Sequence, residues 1–305
     1  MERILGKIEG EEPGPLVICV AAMHGNEQIG LHAFRNVISA IKNHEIPFRG
    51  KLIGLVGNIQ ATLLDCRFLD YDLNRAWTDE HVETVLSKKI FDQAEDEDLA
   101  AIHDIIERES QGDYPLKLVV DLHSTSAERG NFVIVPEGEM HYPVIRSLHI
   151  PVVVEIDQYL VGTLVSYYQR RGYTAFAFEG GVIGTQDAYQ LHTSGLWEIL
   201  DSAGCISKHD HVNEDHYASQ LREVSAMLPD RVRALYCHKI VPEDSFRMLP
   251  GFHNFQQVHQ GQHLAMDKDG PIYAPMDGMI FMPLYQSLGE DGFFIVEEAD
   301  ALASI

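Results

Sequence analysis

The run Leu16-Val17-Ile18-Cys19-Val20-Ala21-Ala22-Met23-His24-Gly25-Asn26-Glu27 decides the fold. Its opening residues, Leu16 to Val20, are apolar without interruption, as in a strand covered on both faces. Immediately downstream, Ile29, Leu31, Phe34, Val37, Ile38 and Ile41 recur at helical spacing. A strand, a short loop and a helix in that order place the loop at the carboxyl end of the strand, where open α/β sheets bind ligands. There His24 offers an imidazole at the strand exit and Glu27 a carboxylate in the first helical turn, close enough along the chain to share one metal ion. Zinc prefers nitrogen, sulfur and carboxylate ligands, and a catalytic zinc takes three of them and keeps one position for water. A lone His-x-x-Glu pair is commonplace on helix surfaces, so the remaining ligands must come from elsewhere in the chain.

The same alternation continues outward from this stretch. Residues 1–10 read as a short strand, Lys51 to Asn58 as a second buried strand, and Leu116 to Ser124 as a third, carrying His123 at its end. Asn131 to Val135 and Pro151 to Ile156 are further strands, and Tyr173 to Phe178 runs directly into Glu179-Gly180-Gly181. Helical patterns fall between them: two over Asp79 to Arg108, one over Leu160 to Arg171 and a last one over Asp215 to Met227. The acidic run Glu95-Asp96-Glu97-Asp98, where the first two helices divide, reads as a solvated helix start suited to the positive end of the helix dipole. Strands alternating with helices predict an α/β fold, a mostly parallel doubly wound sheet covered on both faces. After about residue 230 helical periodicity stops, and short strand-like pieces such as Gly278-Met279-Ile280-Phe281 and Phe293-Phe294-Ile295-Val296 alternate with turns. The expected organisation is a catalytic domain over 1–228 and a small all-β domain over 229–305.

Charge narrows the partners. With 23 basic against 46 acidic residues the formal charge is −23, which argues against nucleic acid and anionic membranes, both of which need a positive field. An anionic small-molecule substrate would therefore have to be drawn in by a local cluster of arginines. No apolar run approaches the ~20 residues of a membrane span, and Met1 to Lys7 is too interrupted for a secretory signal, so a cytoplasmic location is expected. Cys19, Cys66, Cys205 and Cys237 are too scattered for a cysteine zinc site or a disulfide framework. The oligomeric state, including a homo-oligomer, stays open.

Three strand exits carry the polar groups: His24 with Glu27, then His123, then Glu179. In a parallel sheet these exits share one edge. His24, Glu27 and His123 would make the two-histidine, one-carboxylate set of a catalytic zinc, one per chain, leaving Glu179 free as general base. Asp121, on the same strand as His123, suits either a partner for that histidine or a cap. Arg67, Asp72, Asn74 and Arg75 lie in a loop after the second strand and form a candidate anion site, although Asp72 and Arg75 could equally pair to hold the loop. Gly180-Gly181 gives backbone room beside Glu179 and is also a common turn.

Taken together, His24-Gly25-Asn26-Glu27, Arg67 with Asp72-Leu73-Asn74-Arg75, Asp121-Leu122-His123-Ser124 and Phe178-Glu179-Gly180 resemble the succinylglutamate desuccinylase/aspartoacylase family of zinc hydrolases, relatives of the zinc carboxypeptidases. The resemblance spans most of the chain, and Gly270 to Gly278 looks like the β-barrel sequence of that family's C-terminal domain. It implies that His24, Glu27 and His123 hold zinc, that Glu179 is the base, that Arg67 polarises the scissile carbonyl and that Asn74 with Arg75 holds a substrate carboxylate. Two departures concern the substrate. Where members that cleave N-acetylaspartate carry a further arginine ten residues before the base, this chain has Gln169, followed by Arg170 and Arg171. Where aspartoacylases bring a tyrosine from the C-terminal domain, Phe293-Phe294 stands here, with Tyr285 nearby. The expected activity is zinc-dependent hydrolysis of the amide bond of a small N-acyl amino acid. Alternatives are a carboxypeptidase-like enzyme on short peptides and, with the same fold, a non-catalytic sensor.

Overall fold

A computed structural model describes residues 1–136, 142–207, 214–286 and 288–300. The strands are β1 (Ile4–Glu9), β2 (Glu12–Ala21), β3 (Arg49–Val56), β4 (Lys117–Thr125), β5 (Asn131–Ile134), β6 (Val152–Val154), β7 (Thr174–Val182), β8 (Arg231–Lys239), β9 (Arg247–Met248), β10 (Gln256–Val258), β11 (His263–Asp267), β12 (Gly270–Tyr273), β13 (Gly278–Phe281) and β14 (Asp291–Glu298). The helices are α1 (Ile29–Asn43), α2 (Ile59–Leu64), α3 (Asp79–Ser87), α4 (Ala94–Glu109), α5 (Tyr142–Ser147), α6 (Leu164–Gln169), α7 (Gln186–Ser202) and α8 (Glu214–Ser225).

Among the described residues the main sheet runs β1-β3-β2-β4-β7-β5-β6-β8-β14-β13-β10. The stretch β3-β2-β4-β7 is parallel throughout, as are β5-β6 and β6-β8, while β1 and β5 run against their neighbours β3 and β7. The expected mostly parallel α/β sheet is therefore what β1 to β7 build. From β8 onward the ladder turns antiparallel through β14, β13 and β10, and β9, β11 and β12 form a separate antiparallel sheet. Because β8 is hydrogen-bonded to β6, this C-terminal part extends the central sheet.

Strand alternation divides the buried side chains between two cores. On β2, Leu16, Ile18 and Val20 enter one core, with Val82 and Val85 of α3, Leu99 and Ile102 of α4 and Leu164 of α6. Val17, Cys19 and Ala21 enter the other, with α1 residues Leu31, Phe34 and Val37 and α7 residues Leu196 and Leu200. A strand whose two faces are both covered has no polar side to show, which is why Leu16 to Val20 reads as one apolar run. Helix α7 is absent from the periodicity reading, because the positions it buries include His192, Thr193, Ser194 and Gly195 rather than a continuous apolar stripe. No helix of the described residues is long and apolar enough to cross a membrane.

Two readings need correction. Glu27 is not in the first turn of a helix: α1 begins at Ile29, and Glu27 closes a turn in which its N–H donates to His24 O at 3.0 Å. The acidic run at α4 is not solvated either, since Glu95, Asp96 and Asp98 are 0%, 0% and 3% exposed. Asp96 takes the Lys88 ammonium at 2.7 Å and the Tyr71 hydroxyl at 3.1 Å, Asp98 pairs with Arg3, and Glu95 faces the loop before α3. The dipole argument gave a reason for acids at a helix start but could not see that the segments around it supply donors of their own.

Candidate metal centre

The face of the sheet that carries Val119 and Ala177 into the α3–α4–α6 core also carries, at the carboxyl ends of its strands, Asp121 and His123 on β4 and Glu179 on β7. His123 and Glu179 are direct neighbours in the parallel register of β4 and β7. The β7 strand does not stop at Phe178 as its sequence suggests. It continues to Val182, because antiparallel β5 extends the ladder past Glu179 through the pairs Phe132–Glu179 and Asn131–Gly180.

His24 arrives from β2 through a sharp reversal. Ala22 adopts φ 56°, a left-handed conformation that costs a residue with a side chain roughly 1–3 kcal/mol and persists where packing over-determines it. Gly25 is required by contact rather than by dihedral angle: a Cβ there would lie 2.1 Å from the Ala61 carbonyl carbon. The loop thus presses on the backbone at the start of α2, and Gly25 N–H donates to Arg67 O at 3.0 Å, tying it to the arginine loop.

These elements bring His24, Glu27 and His123 together, buried, with one ligand atom of each within 4.8 Å of the others. His24 Nδ1 lies 2.8 Å from Glu27 Oε1, and His123 Nδ1 lies 3.0 Å from Glu27 Oε2. The outer nitrogens face carboxylates of their own, His24 Nε2 on Asp72 Oδ1 at 3.1 Å and His123 Nε2 on Asp121 Oδ2 at 2.7 Å. Each imidazole thus lies between two carboxylates; for His123, burial opposes the charged form, but the charges and hydrogen bonds of Asp121 and Glu27 hold the ring protonated well above the ordinary histidine range. A cation could take the place of the inner protons that bridge the imidazoles to Glu27, so this group could hold a metal ion. The carboxylates also show the local field. Burial works against it, yet the His24 charge and hydrogen bonds from His123 and His24 hold Glu27 well below the usual carboxylate range. Asp72, likewise buried, is held low by the charges of His24 and Arg67.

Glu179 is the exception. Its carboxyl is buried and pushed up to about 8 by that burial, with Glu27 and Asp121 adding to the rise and the His123 and Arg67 charges opposing it. Its Oε2 has no hydrogen-bond partner among the described residues. A divalent cation on the neighbouring group would pull this carboxyl back down, toward the range in which a general base works.

The arginine loop is built into the same network. Arg67 Nη2 donates to Asp72 Oδ2 at 2.9 Å, and Nη1 lies 3.6 Å from Glu27 Oε1. Asp72 therefore pairs with Arg67 and His24 rather than forming the loop-holding pair with Arg75 that the sequence left open. Asn74 Oδ1 accepts from Leu164 N–H at 3.0 Å, and its Nδ2 lies 3.1 Å from His123 Nε2, whose proton faces Asp121. Arg75 donates through Nη1 to Asn74 O at 3.0 Å and through Nη2 to Asp291 Oδ2 at 2.8 Å, and its buried Nε has no partner among the described residues. Asp291, at the start of β14, also takes the Lys239 ammonium at 2.5 Å. Sequence reasoning missed Asp291, for it lies 216 positions from Arg75 and no spacing rule reaches that far. Asp72 as the partner of His24 was within reach, since a carboxylate beside a candidate ligand is a signal in itself.

All seven residues singled out from the sequence, His24, Glu27, Arg67, Asn74, Arg75, His123 and Glu179, line one cavity of about 90 Å³, to which the C-terminal part contributes Met282, Leu284, Asp291 and Phe294. The other candidates lie outside it. Gln169 accepts from Ala175 N–H at 3.0 Å, Arg170 is exposed, and Arg171 pairs with Asp79 at 2.7 Å over the Tyr167 ring. Tyr285 donates its hydroxyl to Leu249 O at 2.9 Å, and Phe293 is buried against Tyr236 and His238. It is Phe294 that faces the cavity.

An open α/β sheet whose carboxyl edge gathers two buried histidines, a shared carboxylate and a second, unpartnered carboxylate is a scaffold for a metal centre. The chain belongs to the succinylglutamate desuccinylase/aspartoacylase family, whose catalytic-domain model matches residues 13–193. Among solved structures it resembles the succinylglutamate desuccinylase of Vibrio parahaemolyticus, with a TM-score of 0.70 and 17% identity over 96% of this chain and 86% of that one. It also resembles murine aminoacylase 3, with a TM-score of 0.62 and 15% identity over 94% of this chain and 96% of that one. At these identities the likeness is one of fold. In sequence it is 30% identical over 125 residues to a probable aspartoacylase of Prochlorococcus marinus (strain MIT 9313), a match covering 40% of this chain and 38% of that relative's length.

Proposed function

We propose that this chain is a zinc-dependent hydrolase that cleaves the amide bond of a small N-acyl amino acid. The observation that carries the reading is the convergence of His24, Glu27 and His123 beside the unpartnered Glu179 carboxylate inside one small cavity. Two imidazoles backed by carboxylates and one carboxylate are the donor set a catalytic zinc takes. Zinc held there supplies Lewis acidity and acidifies water.

The chain's own groups do the rest. Glu179 Oε2, next to His123 on the adjoining strand, takes a proton from the attacking water and returns it to the leaving amine. Arg67, fixed by Asp72, turns a guanidinium edge toward the cavity for the carbonyl oxygen, whose charge grows as the tetrahedral state forms. Arg75 meets the substrate carboxylate; its charge is shared with Asp291, but its Nε remains free to donate. Asn74, whose Oδ1 is committed to Leu164 N–H, has its Nδ2 to offer beside it. With Gln169, Arg170 and Arg171 all outside the cavity, the reading favours a substrate without a second carboxylate at that position.

The peptide-cleaving alternative uses the same groups but needs an open cleft. The walls contributed by Met282, Leu284 and Phe294 favour a small ligand, and the presence of all four metal and base residues disfavours the sensor. The test is a screen of N-acyl amino acids and short peptides against the zinc-loaded protein, with released amine measured. Turnover of an N-acyl amino acid is the expected result. Turnover of peptides alone would transfer the assignment to the alternative, and none at all with zinc bound would favour the sensor.

A further inference from the structure

The loop that carries Arg67, Asp72, Asn74 and Arg75 has little regular structure of its own, a single 3-10 turn at Leu73–Arg75. Something outside it must hold it, and the buried acid at the start of α4 is placed to do so. Glu95 is 0% exposed, and its carboxylate accepts from Leu69 N–H at 2.7 Å on Oε1 and from Asp70 N–H at 3.1 Å and Tyr71 N–H at 3.4 Å on Oε2. Three successive backbone N–H groups around one anion make a concave anion seat. Oε1 also accepts from Asn58 Nδ2 at 2.9 Å. Asn58, two residues after β3, caps α2 by accepting from Ala61 N–H at 2.9 Å, and donates its own N–H to Ala22 O at 2.8 Å, two residues from His24. The loop answers in kind, with Asp70 Oδ2 accepting from Ala94 N–H at the first residue of α4, at 2.7 Å.

We propose that Glu95 is a positioning residue of the centre: it sets the arginine loop against the exits of β2 and β3, and so aims Asp72 at His24 and Arg67 and Arg75 into the cavity. Only a carboxylate suits the place. Every group around it is a donor, and a glutamine would turn its own N–H₂ toward backbone N–H groups that are then left unpaired in the interior. The effect is transmitted through Asp72, which bonds His24 Nε2 and Arg67 Nη2 at the far end of the same loop. This inference rests on the proposed function only for the meaning of its kinetic readout.

The test compares Glu95→Gln with Asp98→Asn, which also neutralises a buried acid of α4 but one bonded to Arg3 and Ile59 N–H, away from the loop. Three quantities are read well below both melting temperatures: amide exchange of the peptide covering 67–75, zinc affinity by chelator competition, and kcat/KM for the best N-acyl amino acid found. For Glu95→Gln, exchange across 67–75 should rise, zinc should bind about 10–100-fold more weakly, the usual worth of a group that orients a ligand, and kcat/KM should fall about 10–100-fold. For Asp98→Asn all three should stay near wild type, and Glu95→Asp should recover part of each loss. If Glu95→Gln loosens the loop while zinc affinity and kinetics hold, or if both variants shift alike, Glu95 is a structural anchor and the proposal fails. If the wild type cleaves no amide, exchange and zinc affinity still decide it, and the failure belongs to the functional reading alone.

Discussion

At the carboxyl edge of β2, β4 and β7 the carboxylates of Glu27, Asp72 and Asp121 are matched to histidines and an arginine, whereas at the start of α4 those of Glu95, Asp96 and Asp98 are matched to backbone N–H groups, a hydroxyl, a lysine and an arginine. Both clusters are buried, both gather three acids, and they lie on either side of the same loop. The difference is in what the partners can do. Apart from the Tyr71 hydroxyl, the partners of the α4 acids are amide N–H groups, an ammonium and a guanidinium that can only donate, so that cluster serves as architecture. An imidazole can donate or accept, so the sheet-edge cluster can give up a proton and take a cation in its place. It also leaves Glu179 Oε2 without a partner. A buried acid is thus no sign of a site by itself; the chemistry of its neighbours is.

The widest gap between the two clusters should appear with Glu179→Gln. The change keeps the size and removes the proton acceptor, so turnover should fall about 10²–10⁴-fold, with zinc content and melting temperature kept. Near wild-type kcat at full zinc would take Glu179 out of the mechanism, and lost stability with retained chemistry would make it architecture like Asp96.

Asp96→Asn should do the reverse. It removes one charged partner of Lys88 and Tyr71, so stability should fall, readable by denaturant unfolding with kcat unchanged. A fall in kcat beyond a few-fold would give Asp96, which holds Tyr71 beside the N–H groups seated on Glu95, a positioning role like that proposed for Glu95. The smallest effect is expected at Arg75→Lys, where a point charge replaces the planar fork. Asp291 still has Lys239, so stability should barely move, while KM rises about threefold to tenfold. Unchanged kinetics in this variant and in Arg75→Ala would remove Arg75 from substrate binding.

How far the sequence reaches follows the same division. The Leu16 to Val20 strand and the positions of His24 and His123 at strand ends are local facts, because one apolar run ends and one polar group follows. Convergence could then be inferred from parallel topology alone. Three things were not local. The burial of Glu95, Asp96 and Asp98 depends on partners drawn from Arg3 to Lys88. Asp291 reaches Arg75 only because β14 pairs with β8 and β8 with β6. Helix α7 packs through Gly195, where a Cβ would lie 2.5 Å from the Phe178 ring, and so replaces the apolar stripe that periodicity looks for with close contact.

The central claim is that His24, Glu27 and His123 form one metal site, and metal analysis of the purified protein beside His123→Ala tests it most directly. The account predicts about one equivalent of zinc per chain in the wild type and close to none in the variant, with the fold retained by circular dichroism. A folded His123→Ala protein that keeps its full equivalent of zinc would contradict it.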